Sequence, residues 1–554
     1  MRMLRWLTFT VVAGLSLTAW GKQPNILFIV AEDLSPRIGT YGDEIAKTPN
    51  IDALAEQGIR FTNVYAAAGV CAPNRSALIS GMYPISMGTH QMRTSQLPLP
   101  NGKTGYEAVT PAQMKAFPEL LRRAGYDTVN FAKKDYQFGT PSTLWDKDIG
   151  NYFSPLKADV WNELSGGKPF FAMINLMSTH EGHLLTEDGK AAEKFKGFTD
   201  SIKKDLARVQ AVTDPASVTV PPYYPDTPVV RRSIAQHYDN IHYMDSQVGE
   251  ILAALKRDGL DDNTIVVWTT DHGDALPRAK RSVYDTGLHI PLIVRFPDGR
   301  GAGTQNDRLI SMVDFAPTFL SFAGAPLPDF LQGTGIFSGE QRQYIYAARD
   351  RMDMVPDKVR AVRDLRFKYI RNDMPELPYF RPLVFRDMFP VMIAWWEGLD
   401  KQSLNPAQQF YFEAPRPGDE LYDTDNDPWE TRNLADDPSQ KARLSRMKKA
   451  LKNWEVQVHD KSTEPETGMV RAMWPGFEQP VTASPQFKLT ECNRQVCVAI
   501  TSSSDNASVA WRMAAGEPWQ LYTQPVPVQP NSYIEAKAVR YGYQESNVEQ
   551  YHHD

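Results

Sequence analysis

A chain of 554 residues is too long for one ordinary domain and can bury a large core, so a main domain with at least one appendage is expected. Its 60 Lys and Arg against 66 Asp and Glu leave a net charge of -6 with no basic block, which argues against a nucleic-acid partner or a polybasic membrane anchor. Any basic site has to be local.

The chain starts MRMLRWLTFTVVAGLSLTAWGK, with Arg2 and Arg5 ahead of an apolar run from Leu7 to Ala19 that ends in small residues. This is the pattern of a secretory signal peptide over residues 1–20, too short and wrongly flanked for a membrane span. The protein is therefore expected to be exported, periplasmic or secreted, without stable membrane association.

Further on, short apolar runs are followed at once by reactive residues. Asn25 to Val30 leads into Glu32 and Asp33, and Thr128 to Phe131 into Lys133, Lys134 and Asp135. Phe170 to Met177 leads into His180, Glu181 and His183, and Thr264 to Thr270 into Asp271, His272 and Asp274. Continuous apolar runs fit strands buried on both faces of a parallel sheet. Helical patterns at Pro49–Gly58, Met114–Ala124 and Val229–Gly259 alternate with them. Alternating β and α segments predict a wound α/β sheet, in which ligands bind beyond the carboxyl ends of the strands. The four clusters then meet at one edge.

Between the first two clusters lies "GVCAPNRSALISGMYP". Pro73 suits a first helical turn, Arg75 to Ile79 can continue the helix and Gly81 can end it, so Cys71 is expected where backbone N–H groups point outward and favour anions. The other two cysteines, Cys492 and Cys497, lie close together in a β-like stretch, as a small hairpin disulfide or as two reduced thiols. Either way Cys71 is left unpaired.

From about Gln341 the pattern shifts to shorter strands (QYIYAAR, LRFKYIR, ELYDT) and a helix from Pro438 to Val458. The expected division is a catalytic domain over 21–340, an α+β subdomain over 341–472, a Pro- and Gly-containing linker over 473–484 and a small β-sandwich-like module over 485–554. No internal repeat is visible.

The motif Cys71-Ala72-Pro73-Asn74-Arg75 with Ser80-Gly81, together with "PNILFIVAEDL", "TPNIDALAEQGIRFTNVY", "TTDHGD" and "YDTGLHIPLIV", resembles the type I sulfatases of the alkaline phosphatase superfamily. "GVCAPNRSALISGMYPISMGTHQMR" and "RDRMD" are most similar to bacterial carbohydrate sulfatases near heparan N-sulfatase and iduronate sulfatase. The resemblance implies a large, mostly parallel α/β sheet and hydrolysis of sulfate esters, or of N-sulfates, on a sulfated carbohydrate. It also implies that a formylglycine-generating or sulfatase-maturing enzyme oxidises Cys71 to formylglycine. One oxygen of the aldehyde hydrate then attacks sulfur and the other, once deprotonated, expels sulfate, which divides one hard step into two.

Residue by residue, the resemblance puts metal ligands at Glu32, Asp33, Asp271 and His272. The carboxylates suit a hard divalent cation, Ca2+ in the first place, while an imidazole suits Mn2+ or Zn2+ better. Two positions depart from the usual pattern: Glu32 replaces an Asp, and His272 stands where Asn is frequent. Arg75 lies one helical turn after Cys71, and Lys133 and Lys280 match the two sulfate-binding lysines. Asp135 holds a position usually given to a histidine that helps the hydrate lose its proton, and is either that base or an ion-pair partner of Lys133 or Lys134. His180 matches the histidine that contacts sulfate and protonates the leaving oxygen. His90, Asp350, Arg351 and Asp353 are assigned to substrate recognition, since sugar hydroxyls and carboxylates call for paired hydrogen-bonding groups. Two alternatives remain at this point: a phosphodiesterase or phosphonate monoester hydrolase of the same superfamily, and a glycan-binding homologue without turnover.

Overall fold

In the computed structural model the residues described are 23–185 and 195–553. The signal-peptide stretch over residues 1–20 lies outside them. Among the described residues no helix is long and apolar enough to cross a membrane.

Eight strands form the main sheet: β1 (Asn25–Ala31), β2 (Ile59–Tyr65), β3 (Asp127–Phe131), β4 (Lys147–Ile149), β5 (Phe170–Leu176), β6 (Thr264–Thr270), β7 (His289–Arg295) and β8 (Thr304–Ser311). Their order is β4-β3-β5-β1-β6-β7-β2-β8. Only β7 runs against its neighbours β6 and β2, and every other pairing is parallel. The sheet is thus mixed and mostly parallel. Strand β1 lies between β5 and β6, and all seven of its residues are buried. Its side chains alternate between two cores: Ile26, Phe28 and Val30 face one layer of helices, and Leu27, Ile29 and Ala31 face the other. This two-sided burial is why the run reads as uninterrupted apolar sequence.

The carboxyl ends of β1, β3, β5 and β6 lie along one edge, as expected. Strand β2 reaches the same edge and passes through residues 66–70 into the helix Cys71–Ser80. Every residue of that helix is buried, and Ala77, Leu78 and Ile79 belong to the core it packs on. Gly81 ends it at φ 72°, with its N–H on the Ala77 carbonyl; a β-carbon there would strike Leu331 and Ala316. Gly69 fixes the other end: the Ser282 carbonyl fills the space of its missing side chain, and the Arg281 N–H donates to the Gly69 carbonyl at 2.7 Å. The cysteine loop and the loop from β6 to β7 are thereby locked together.

A second, antiparallel sheet has the order β12-β11-β10-β9, from β9 (Ile345–Arg349), β10 (Val359–Arg363), β11 (Phe367–Asn372) and β12 (Asp419–Asp423). The helix Lys441–Gln457 packs on it through Met447, Leu451 and Trp454. The expected linker over 473–484 is docked. Phe477 is buried, its carbonyl accepts from Asn101 Nδ2 at 2.9 Å, and the Thr482 N–H donates to Gln544 at 2.9 Å.

The last module has two sheets. One is formed by β13 (Gln486–Cys492), β14 (Gln495–Thr501) and β17 (Val526–Pro527). The other is formed by β15 (Ser508–Arg512), β16 (Gln520–Leu521), β18 (Ser532–Val539) and β19 (Glu549–His553). They enclose a small core that includes Val498, Ile500, Val509, Val526, Ile534 and Ala536. Cys492 and Cys497 are joined as a disulfide across the β13–β14 hairpin. The module seats on the main domain around Glu119, a fully buried carboxylate of the helix Phe117–Arg123. It accepts from Ser508 Oγ at 2.5 Å and Tyr541 Oη at 2.8 Å in the module, and from Thr143 Oγ1 at 2.8 Å in the main domain.

Candidate active site

Cys71 is the first residue of its helix and is fully buried. Its Sγ lies 3.4 Å from His272 Nε2, 3.7 Å from Glu32 Oε2 and 3.8 Å from Asp33 Oδ1. Those neighbours come from the tails of β1 and β6, so the sheet edge brings residues about 200 positions apart into contact. Ligand atoms of Asp33, Cys71, Asp271 and His272 lie within 4.8 Å of one another, and so do those of Glu32, Asp33, Cys71 and His180.

Three cations balance the three carboxylates. Arg75 bonds Glu32, reaches Asp271 Oδ2 at 3.1 Å and donates to Asn175 Oδ1 at 2.7 Å. Lys133, after β3, pairs with Glu32, and Lys280, from the β6–β7 loop, pairs with Asp33. None of these ion pairs involves a side chain more than 7% exposed, so each holds its partner firmly. Burial opposes ionisation throughout, yet Lys280 and the nearby histidines hold Asp33 well below the usual carboxylate range, and His272 with Arg75 brings Asp271 to about 2.

The two histidines are in different states. His180 Nδ1 accepts the Gly182 N–H at 3.0 Å, which places its own proton on Nε2. Burial and the Lys280 charge hold its pKa well below the ordinary value, so the ring is neutral. The Tyr152 ring meets it edge-on with centroids 5.2 Å apart. His272 Nδ1 lies 3.1 Å from the Gly273 carbonyl, so it donates there and turns Nε2 toward Asp33 at 2.9 Å. Burial lowers its pKa, but Asp271 and Asp33 outweigh that and raise it well above the ordinary histidine value.

A cleft of about 730 Å³ opens over this edge. It is lined by Lys133, His180 and Glu181, by the apolar Phe153, Phe198, Leu383 and Phe385, and by Arg93, Asp135 and Asp353. Asp135 interacts with Arg93 at 3.5 Å, not with Lys133 or Lys134. From the group assigned to recognition only Asp353 lines the cleft. Asp350 is bonded twice to Arg360, at 3.0 and 3.1 Å, and Arg351 is bidentate on Glu466, at 2.7 and 2.8 Å. His90 is buried outside the cleft lining. These three depart from the sequence expectation because their polar atoms are turned into the protein.

Several residues given no role in the sequence reading contribute here. Asn74 accepts the Ala67 N–H at 2.8 Å and donates to the Asp271 carbonyl, fixing the helix start against β6. Glu181 donates its N–H to Asp33 at 2.7 Å and takes a bidentate pair from Arg281, both at 2.7 Å. Position beside His180 and Lys280 was the only available signal for these two. Nothing in the sequence marked Tyr152, whose buried hydroxyl has no partner among the described residues.

The sulfatase family profile matches residues 24–325, more than half of the chain. The chain belongs to the sulfatase family. As a sulfatase it is a sulfuric ester hydrolase. It is 36% identical to an ulvan-active sulfatase of Formosa agariphila, over 95% of this chain and 91% of that one. It is 25% identical to the N-sulphoglucosamine sulphohydrolase of Homo sapiens, over 79% of this chain and 90% of that one. Among solved structures, one in complex with its substrate D-glucosamine-2-N,6-O-disulfate aligns with a TM-score of 0.57 at 20% identity, over 80% of this chain and 99% of that one. The phosphonate monoester hydrolase of Agrobacterium radiobacter aligns with a TM-score of 0.54 at 19% identity, over 78% of this chain and 96% of that one. At those identities the two structures show the fold alone.

Proposed function

We propose that this sulfatase, exported from the cytoplasm, removes sulfate from a sulfated carbohydrate. The observation that supports this most is the placement of Cys71 Sγ within 3.4–3.8 Å of His272, Glu32 and Asp33, with Arg75, Lys133 and Lys280 closing the ring of charge. Its ulvan-active and N-sulphoglucosamine sulphohydrolase relatives agree with it.

In this reading residue 71, oxidised by a maturing enzyme, carries the nucleophile. Its helix N-terminus adds outward backbone N–H groups to the positive surroundings of a sulfuryl group. Burial opposes the charge of Lys133, Lys280 and Arg75, but Asp33 beside Lys280, Glu32 and Asp271 beside Arg75, and Cys71 with Glu32 beside Lys133 outweigh it and hold all three above their ordinary values. They stabilise the charge that moves onto the sulfuryl oxygens as the bond to sulfur forms. His180 presents Nε2–H toward the leaving sugar oxygen.

Three fully buried carboxylates and an imidazole with Nε2 turned inward fit a divalent cation held by Glu32, Asp33, Asp271 and His272, whose Nε2 proton the cation would displace. Ca2+ suits the carboxylates, and His272 adds affinity for Mn2+. When bound, the cation supplies positive charge that polarises the sulfuryl group.

The test combines intact mass with desulfation of defined glycosaminoglycan and algal disaccharides. Conversion of Cys71 to formylglycine lowers the mass, and Cys71→Ala should fold yet lose turnover. Retained sulfate release by Cys71→Ala would refute the nucleophile. A faster reaction with aryl phosphodiesters than with aryl sulfates would return the phosphodiesterase reading.

A further inference from the structure

Five cationic or titratable nitrogen side chains line the cleft: Arg93, Lys133, Lys134, His180 and Arg281. Lys133 is held by Glu32, Lys134 pairs with Asp148 at 2.6 Å and Arg281 is bidentate on Glu181 at 2.7 Å. His180 is neutral and faces the residue 71 site. Arg93 differs from all of them. Its contacts among the described residues are Asp135 at 3.5 Å and Asp353 at 4.0 Å, and its side chain is 36% exposed. One N–H of the five-donor guanidinium fork makes a long hydrogen bond to Asp135 and Asp353 lies beyond hydrogen-bond distance, so the fork is left with capacity to spare.

The backbone holds that fork in place. Arg93 sits in the left-handed region at φ 58° and ψ 52°, which is uncommon for a residue other than glycine and needs support from its neighbours. Here the support is Arg351: its backbone N–H donates to Gln91 Oε1 at 2.8 Å and its guanidinium to the Met92 carbonyl at 2.8 Å, while the Met92 N–H returns a bond to the Arg351 carbonyl at 2.9 Å. Thr94 Oγ1 is bonded to Gln137 at 3.1 Å on the other side. The residues flanking Arg93 are clamped while its side chain is not.

We propose that Arg93 is a specificity-determining residue that binds an anionic group, carboxylate or sulfate, on the sugar adjoining the sulfated one. This rests on the carbohydrate sulfatase reading above. A planar fork held beside a cleft matches the two oxygens of a carboxylate or sulfate. Asp135 and Asp353, each 22% exposed, flank it and are suited to accept from sugar hydroxyls. Phe153, Phe198 and Phe385 also line the cleft and give it apolar surface suited to the apolar face of a sugar. The preferred substrate is therefore a polyanionic carbohydrate in which the scissile sulfate has an acidic neighbour.

The probes are matched disaccharides with one scissile sulfate whose neighbouring sugar is a hexuronic acid, the same sugar with its carboxyl reduced to the alcohol, or a sulfated neutral sugar. Turnover is measured for the native sequence, Arg93→Ala and Arg93→Asn; asparagine tolerates the left-handed backbone, so it separates loss of the guanidinium from loss of the turn. Binding is measured in parallel by calorimetry in Cys71→Ala and in Cys71→Ala with Arg93→Asn. The native protein should prefer at least one acidic probe over the reduced one by about tenfold or more in KM and in Kd, and both Arg93 variants should lose that preference. Whether the carboxylate or the sulfate carries it identifies the source of the anion. A preference that survives in Arg93→Asn, or no preference in the native protein, would overturn the proposal. If no probe is desulfated, the function reading fails, while the calorimetric preference still decides the role of Arg93.

Discussion

Glu119 offers a sharp test of what holds the terminal module in place. Burial alone would raise its pKa, but Lys115 and Arg123, with the hydroxyls of Ser508 and Thr143, bring it down to about 2 from an ordinary value of 4.5. A depression of about 2.5 units corresponds to about 3 kcal/mol of folded-state stability. Because the folded pKa is the lower one, that contribution is complete above pH 4.5 and is lost as pH falls from there toward 2; at pH 3 about 2 kcal/mol has gone. Glu119→Gln removes the charge at neutral pH and cannot accept from Ser508 and Tyr541 with two carboxylate oxygens. The assay is native-state proteolysis of segment 478–485, which tracks the population of the open form when opening is fast relative to cleavage. At pH 7 the variant should be cut at least about tenfold faster, because opening loses the Ser508 and Tyr541 bonds while Lys115, Arg123 and Thr143 stay with Glu119 in the main domain, and the native protein should approach it as pH is lowered to 3 with an acid-tolerant protease. Cleavage within threefold of the native rate would show that the module is held by its apolar contacts and that the buried carboxylate is incidental.

At the active site, His180→Ala should lower kcat on sugar sulfates by about 10²-fold or more and far less on 4-nitrophenyl sulfate, whose leaving group needs little proton assistance; equal losses would remove His180 from the leaving-group side. Asp135→Asn should cost less than about tenfold in kcat, since Asp135 meets Arg93 rather than Lys133 or Lys134, whereas a loss in the 10²–10⁴ range would restore it as the base. Arg75→Ala leaves Glu32 and Asp271 without their shared partner and should destabilise the fold by about 3–5 kcal/mol in denaturant unfolding; a shift below 1 kcal/mol would mean that the site relaxes freely. Prolonged chelation should abolish turnover, with recovery on adding Ca2+ or Mn2+, and full activity after chelation would exclude a cation at Glu32, Asp33, Asp271 and His272.

The main sheet was legible where burial on both faces forces a continuous apolar run, and β1, β3, β5 and β6 differ from their sequence expectations by at most one residue at either end. The helix at Cys71 was legible from Pro73 and Gly81. Strand β10 was not, because VRAVR carries Arg360 and Arg363 into the interior, where Asp350, Asp460 and Asp285 neutralise them, and no local pattern announces partners so far away. The same blindness misplaced Asp350 and Arg351. Three acidic or basic residues within four positions look equivalent in sequence, yet one pairs with Arg360, one with Glu466, and only Asp353 turns to the cleft. Arg351 still serves the site indirectly, as the support beneath Arg93. Pro and Gly in 473–484 suggested slack, but the segment is a packed strap because Phe477 finds an apolar seat against Tyr106 and Trp474.

The thiol of Cys71 has no solvent-accessible surface, and the helix that carries it is pinned by Asn74, Gly69 and the arginine at position 75. No second protein can close around such a side chain without dismantling the sheet edge. If Cys71 is oxidised as proposed, the modification therefore belongs to the chain before it folds, and a molecule that collapses too soon keeps an inert sulfhydryl. The yield of competent enzyme then depends on a race between oxidation and folding, so overexpression should produce well-folded but inactive material in proportion to how far synthesis outruns the oxidising partner.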